Sequence, residues 1–297
     1  MAAAMKRSEA LSIIVEQAKR GELVFPTNVA ASLKVQEALD DPDCSIDSAA
    51  KLVLNEPLLA SRVVAIANSA AYNRGNDVTN VKAAIGRVGF RILRAIVASL
   101  VMRQLAGTSK NNQVKRIMNQ LWQHSAQVAS LSRVIARRIT KVDPDTAMFA
   151  GIVHEVGNFY LLSRVDEYPE LIDFDSPEEE TDTLELPTFS DTVIEREAAE
   201  AMIGRAVLHS LKLPQQVTEA VEALWYGLRA MPPETLGDTL LLANELASSR
   251  SPLDLHSYTE PENYTSEIDF VVGDGTLISI LEESAEEVST LTSALSI

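Results

Sequence analysis

The chain of 297 residues is 46% hydrophobic and 23% charged, which suffices for a buried core and excludes disordered, collagen-like and coiled-coil proteins. Its formal net charge of −16 makes nucleic acid and anionic membranes unfavourable partners for the molecule as a whole. The single cysteine, Cys44, can form neither an internal disulfide nor a cysteine-rich metal site. The longest apolar run, residues 95–102, is too short to cross a bilayer. We therefore expect a soluble protein of the reducing cytoplasm.

The hydrophobic pattern predicts an all-α fold. The first helix places Leu11, Ile14 and Val15 on one face and has Gly21 just after its C-terminus. Pro57 stands at a first-turn position, where its missing N–H costs nothing. No segment shows the sustained alternation of a β-strand. The predicted helices are 8–21, 27–39, 45–54, 57–70, 81–105, 113–141, 146–164, 191–211, 214–230, 236–249 and 275–296. The range 81–105 contains one helix or two.

Charge is distributed unevenly along the chain. Residues 1–150 contain 20 basic and 12 acidic residues, whereas residues 151–297 contain 6 and 30. No acidic residue lies between Asp77 and Asp143. The segment 166–190 is rich in acids and has three prolines, which is typical of an exposed loop. The two halves should attract each other.

Three arginines in the acid-free region share a helical face. Arg87, Arg91 and Arg94 follow the spacing i, i+4, i+7, and apolar residues fill the positions between them. A solvated face is the ordinary interpretation of such a stripe. Because the surrounding sequence lacks acids, we predict instead that the stripe binds an anion, either the acidic segment of this chain or an acidic partner.

Catalytic chemistry would have to involve the four histidines, because the sequence contains no P-loop, nucleophile elbow or dinucleotide-binding motif. His154 and Glu155 lie in an apolar helical segment, where polar groups need partners. A metal ion could satisfy both, and so could hydrogen bonds inside the helical bundle. His124, one helix earlier, could converge on the same site. His209 and His256 lie beside turns and indicate nothing specific.

The order of the motifs resembles a known family. The pattern W-x-H-S-x-x-V-A followed by G-I-x-H-E-x-G-N, at His124 and His154, looks like the HD-type phosphohydrolases. The upstream sequence resembles an HDOD domain, with the turn D-P-x-x-S, the helix x-x-P-x-L-x-x-R-x-x-x-x-A-N-S-A and the helix start A-I-x-x-x-G. Gly204, Leu213 and Pro214 match the closing motif. The resemblance covers roughly residues 20–225.

The resemblance implies a bacterial regulatory protein whose HD-type site has lost its catalytic ligands. His124 and His154 match the two histidine ligands, but Glu155 and Asn244 stand where the hydrolases have aspartates. Two imidazoles and one carboxylate make a poor site for a hard divalent cation. We therefore expect an HD-domain-like multi-helix bundle with no metal, no cofactor and no catalytic residues. Its N-terminal helical subdomain would span residues 1–112, and its HD-like subdomain residues 113–297.

The sequence thus predicts a non-enzymatic signalling protein that acts through contacts with another signalling protein. The runner-up interpretation is a metal-dependent phosphohydrolase acting on a nucleotide or phosphoester through a residual HD-type site. A third is an anion-binding or nucleic-acid-binding protein that uses the basic helices. Membrane attachment is not expected and nucleic acid is disfavoured by charge. The sequence names neither the partner nor the oligomeric state.

Overall fold

The computed structural model describes residues 5–25, 29–69, 72–73, 75–106, 109–172, 191–211, 213–226, 230, 232–253, 278–285 and 288. These residues form helices joined by short turns, with no strand among them, so the predicted all-α class is confirmed. The named helices are α1 (Arg7–Lys19), α2 (Val29–Leu39), α3 (Ile46–Leu54), α4 (Pro57–Ala67), α5 (Val81–Ala106), α6 (Asn112–Ile135), α7 (Pro144–Val153), α8 (Val156–Ser163), α9 (Asp191–Ser210), α10 (Gln215–Tyr226) and α11 (Leu236–Leu246).

Several helix boundaries follow from capping residues in the sequence. The Ser45 hydroxyl accepts the backbone N–H of Ser48 at the start of α3, and Asp143 caps α7 in the same way through Thr146. After α1, Gly21 adopts a φ of +69°, in the left-handed region that favours glycine. These ends agree with the predicted ones to within a few residues.

Two predicted helices are interrupted. The prediction of one helix over 146–164 is wrong, because α7 ends at Val153 and α8 begins at Val156, with His154 and Glu155 forming the break. Within α5, Gly89 has a φ of +80° and a ψ of +167°, which bends the helix and would strain any other residue. Both interruptions fall beside polar side chains that the next sections describe.

The core is built around the close crossing of α6 and α7. A Cβ added to Gly151 on α7 would lie 2.4 Å from the Cα atom of Ala129 on α6, so only glycine allows this approach. Helix α5 packs against α2, α3, α4, α7 and α8, while α11 packs against α6, α7 and α10. Many side chains of this core are completely buried.

Both ends of the described chain pack against distant segments. The Arg7 side chain of α1 donates to the carbonyl of Leu171 at 2.9 Å and pairs with Glu200 of α9 at 2.9 Å. Residues 278–285 are helical, and Glu283 there pairs with Arg137 and Arg138 in the π-helical turn (Ala136–Thr140) that follows α6. The division into subdomains at residue 112 stays a prediction.

Some predicted elements fall outside the described residues. They include residues 173–190 of the acidic segment and most of the predicted C-terminal helix. None of the described helices is long and apolar enough to span a membrane.

Candidate functional site

Three polar side chains meet in the core beside the α6–α7 crossing. Helix α6 supplies His124, and the break between α7 and α8 supplies His154 and Glu155. The Nε2 atoms of the two histidines lie 3.1 Å apart. Glu155 Oε1 lies 3.5 Å from His124 Nε2 and 3.8 Å from His154 Nε2. We call these three residues the histidine cluster.

The outer atoms of the histidine cluster are held by hydrogen bonds. His124 Nδ1 lies 2.6 Å from the carbonyl oxygen of Ser249, and His154 Nδ1 lies 2.7 Å from that of Gly151. A carbonyl accepts only, so each Nδ1 must carry the proton and donate it. The side-chain amide of Asn158 donates to Glu155 Oε2 at 2.6 Å. The two Nε2 atoms and Glu155 Oε1 are thereby left to face one another.

The two facing nitrogens define what the histidine cluster can hold. Burial lowers the pKa of His154 to about 4, although the Glu155 carboxylate acts in the opposite direction. The His154 imidazole is therefore neutral at pH 7, with a lone pair on Nε2. The two Nε2 atoms, 3.1 Å apart, are close enough to share a proton or a cation between the rings.

The ligand set fits a small cation in part. In a tetrahedral site with bonds of about 2.0–2.1 Å, the ligand atoms are about 3.3 Å apart, close to the distances in the histidine cluster. Two histidines and one glutamate are also a known zinc ligand set. Among the described residues, this is the one group of His, Cys, Asp and Glu side chains close enough to hold a metal. Asn244 lies on α11, partly exposed, and its amide supplies no negative charge.

Access to the histidine cluster is limited. His124 is 2% exposed, and His154 and Glu155 are each 8% exposed. A catalytic metal site needs an open position for water and substrate. The arrangement can therefore hold a proton or one buried cation, whereas a phosphoester would first require the surrounding helices to separate.

The three arginines of the predicted stripe have different roles. Arg87 has a structural role, because its guanidinium donates to the carbonyls of Ala67 (3.1 Å) and Asn76 (2.5 Å). Arg91 forms an ion pair with Asp143. Arg94 pairs with Asp40 at 3.2 Å and donates to the carbonyl of Leu39.

The acids that contact this stripe thus come from residues 40 and 143. The predicted contact with the segment 166–190 involves residues that lie largely outside the described ones, so it stays a prediction.

Sequence reasoning missed the groups that orient the histidine cluster. Gly151 and Asn158 belong to the motif G-I-x-H-E-x-G-N, so their spacing around His154 was a usable signal. Ser249 contributes only a backbone carbonyl from a turn after α11. No side-chain pattern could have indicated that contact.

Comparisons with known proteins show which proteins the chain is similar to. A protein of Treponema pallidum (strain Nichols) without a described function is 22% identical over 189 residues, which are 64% of this chain but only 35% of that protein. A solved structure from Shewanella amazonensis SB2B is provisionally described as a metal-dependent phosphohydrolase. Its TM-score is 0.68 at 23% identity, and the alignment covers 96% of this chain and 98% of that chain.

A second solved structure, from Marinobacter aquaeolei VT8, is provisionally described as a signal transduction protein. Its TM-score is 0.60 at 15% identity, and the alignment covers 98% of this chain and 67% of that chain. At these identities the structures establish the shared fold alone. The family assignment rests on a separate match, because the HDOD domain family covers residues 25–225, more than half of the chain. The chain therefore belongs to the HDOD family.

Proposed function

We propose that this HDOD protein is a non-catalytic regulatory protein that acts through protein–protein contacts. The supporting observation is the burial of the histidine cluster, whose three side chains are 2–8% exposed. A hydrolase needs its reactive groups in contact with water and substrate. The cluster also offers one carboxylate, that of Glu155, whereas an HD-type hydrolase would use aspartate ligands at the positions of both Glu155 and Asn244.

The burial of the histidine cluster makes the surface of the protein the place where a regulatory partner would bind. The relative from Marinobacter is provisionally described as a signal transduction protein, which agrees with this proposal. Residues 1–150 are basic and residues 151–297 are acidic, so the molecule offers regions of opposite charge to a partner. A contact of this kind would depend on salt, because exposed charges are screened.

The proposal is tested by cross-linking and affinity capture of the full chain in its native bacterium. We expect a saturable protein partner whose recovery is the same for the wild-type protein and for His154→Ala, because the histidine cluster lies inside the fold. A partner that is lost with His154→Ala alone, while the variant remains folded, would contradict a function carried by the surface.

A second candidate function is favoured by the geometry of the histidine cluster itself. Two imidazole nitrogens and one carboxylate oxygen converge at 3.1–3.8 Å, as they would around a bound cation. The chain would then be a metal-dependent phosphohydrolase with His124, His154 and Glu155 as ligands. The metal would supply Lewis-acid activation of water or of a phosphoryl oxygen.

Elemental analysis distinguishes the two candidate functions by the number of metal ions bound per chain. The non-catalytic proposal expects far less than one transition metal ion per chain after purification without chelators. About one ion per chain, lost in Glu155→Gln and in His154→Ala, would favour the second candidate. Asn158→Ala is the matched control, because it removes a partner of Glu155 without removing a ligand atom of the cluster.

A further inference from the structure

A second polar site lies at the opposite end of α7 from the histidine cluster. It is a cavity of about 400 Å³ between α5, α7, α10 and α11. Its charged walls include Arg91 and Arg94 from α5 and Asp143 from the start of α7, and its apolar wall includes Phe149, Val217 and Leu236. Its volume is that of a small-molecule site, and such sites combine an apolar wall with a few convergent polar groups. We call it the arginine pocket.

Hydrogen-bond donors exceed acceptors in the arginine pocket. Each guanidinium has five N–H groups. Arg91 uses one of its nitrogens for Asp143, and Arg94 directs two toward Asp40 and the carbonyl of Leu39. The Arg91 side chain remains 60% exposed, so most of its donors are available to a ligand.

The carboxylates of the arginine pocket, by contrast, are already engaged. Asp143 Oδ1 accepts both the backbone N–H and the hydroxyl of Thr146, and its Oδ2 accepts from Arg91. Asp145 pairs with Arg133, which lies outside the pocket lining, at 3.4 Å. The groups still able to bind a ligand are therefore mainly donors and cationic.

The backbone around the arginine pocket contributes partial positive charge. The first turns of α7, α10 and α11 contribute Thr146, Gln216 and Leu236 to its lining. Helix N-termini carry partial positive charge, which favours an anion nearby. This effect supplements the two arginines.

We propose that the arginine pocket binds a small organic phosphate with a planar apolar body, of the aryl or nucleoside phosphate class. Arg91 receives the phosphoryl oxygens, because a guanidinium matches phosphate with two parallel hydrogen bonds. Arg94 adds positive charge. The planar body lies against the half-buried Pro214 and Leu236 and the exposed edge of Phe149. Asp143 is displaced from Arg91 when the ligand enters, so this carboxylate competes with the ligand. Such binding does not require the function proposed above, and it would give a regulatory protein a small-molecule input.

The test uses isothermal titration calorimetry of the full chain with phenyl phosphate, inorganic phosphate and phenol as separate probes. We expect phenyl phosphate to bind more tightly than inorganic phosphate, and phenol to bind weakest, since the proposed site uses both parts. Adenosine monophosphate then reports whether a nucleoside serves as the planar body. Binding should weaken as salt is added, because the ion pairs are partly exposed.

Two variants should shift the affinity for phenyl phosphate in opposite directions. Arg91→Ala removes the guanidinium that binds the phosphoryl group and should weaken binding at least about tenfold, as expected for a charge-assisted contact. Asp143→Asn keeps an effective helix cap but removes the competing charge, so it should tighten binding several-fold. Lys82→Ala is the matched control, because it removes a cation from α5 outside the pocket, where Lys82 pairs with Asp47.

The proposal fails if phenyl phosphate does not bind at concentrations up to about 10 mM. It also fails if Arg91→Ala binds as tightly as the wild-type protein, or if Asp143→Asn binds more weakly than it. Equal losses in Arg91→Ala and Lys82→Ala would mean a general effect of charge and would likewise overturn it. Circular dichroism of each variant, expected to match that of the wild-type protein, shows that the fold is retained.

Discussion

Helix α7 connects two polar sites that differ in almost every physical respect. At its C-terminal end, the histidine cluster is nearly sealed, and the outer polar atoms of its three residues have partners in the protein. About 15 Å away, at its N-terminal end, the arginine pocket is open, and the guanidinium of Arg91 there has N–H donors available to a ligand. The difference teaches that a cluster of metal-ligating residue types need not mark the place where a ligand can enter. In this chain the histidine cluster is buried, and the arginine pocket is the site accessible to larger molecules.

The largest expected effect concerns the crossing that closes the histidine cluster. In Gly151→Ala the added Cβ meets backbone atoms of Ala129, so α6 and α7 must separate. We expect a loss of at least about 3 kcal/mol in the free energy of unfolding, measured with urea. Gly86→Ala is the control, because no atom lies within 4 Å of its added Cβ and alanine favours a helix by ~1 kcal/mol. A Gly151→Ala protein as stable as the wild type would contradict the tight crossing.

The next effect concerns pH. The pKa of His154 is lowered to about 4 in the folded protein, against an ordinary value of 6.5, so the unfolded chain binds more protons between these values. Stability should therefore fall as the pH decreases from 6.5 toward 4, by up to roughly 3 kcal/mol from this residue. The measurement compares urea unfolding of wild-type protein and His154→Gln across this range with a chelator present.

The matched control for the pH experiment is His209→Gln, because His209 is exposed on α9. This variant should keep the pH dependence of the wild-type protein, whereas His154→Gln should lose part of it. Identical pH profiles for His154→Gln and the wild type would show that His154 is not buried in the neutral form.

A smaller effect separates the members of the arginine stripe. Arg87 connects the carbonyl of Ala67 at the end of α4 to that of Asn76 in the segment that follows, so Arg87→Ala should cost about 1–3 kcal/mol of stability. Arg91→Ala should cost at most about 1 kcal/mol, because its ion pair with Asp143 is exposed. Thermal unfolding of both variants tests this order. The reverse order would contradict the division between a structural Arg87 and an available Arg91.

The smallest effect concerns Cys44. Burial raises the pKa of its thiol, with a further contribution from the carboxylate of Asp41. We expect slow alkylation at neutral pH and a change within about 0.5 kcal/mol in Cys44→Ser. Rapid alkylation of the native protein would show that the thiolate is stabilised instead.

Local sequence signals predicted the fold well and the sites in part. Caps such as Ser45 and Asp143 and the turn at Gly21 specify helix ends through short-range hydrogen bonds and backbone freedom, which are visible in the sequence. The break at His154 was missed, because the residues on both sides of the pair His154–Glu155 are apolar and no Pro stands at that point. It depends on long-range packing of α7 against α6.

At both sites the sequence predicted which residues matter, but not all of their partners. The motif around His124 and His154 indicated that these side chains could meet, and the structure brings them within 3.1 Å. The arginine stripe was visible from its spacing, but its partners Asp40 and Asp143 lie 54 and 52 positions away from Arg94 and Arg91. Such pairings follow from the tertiary fold, and helical periodicity carries no information about them.

The central claim, that the histidine cluster is closed to substrate, is tested most directly by a hydrolysis assay with added manganese or magnesium. The substrate is bis(4-nitrophenyl) phosphate, and wild-type protein is compared with His154→Ala and Glu155→Gln. We predict that all three proteins release nitrophenol at the same background rate. A wild-type rate above background that both variants lose, with their folds retained, would contradict the claim and make the chain a metal-dependent phosphohydrolase.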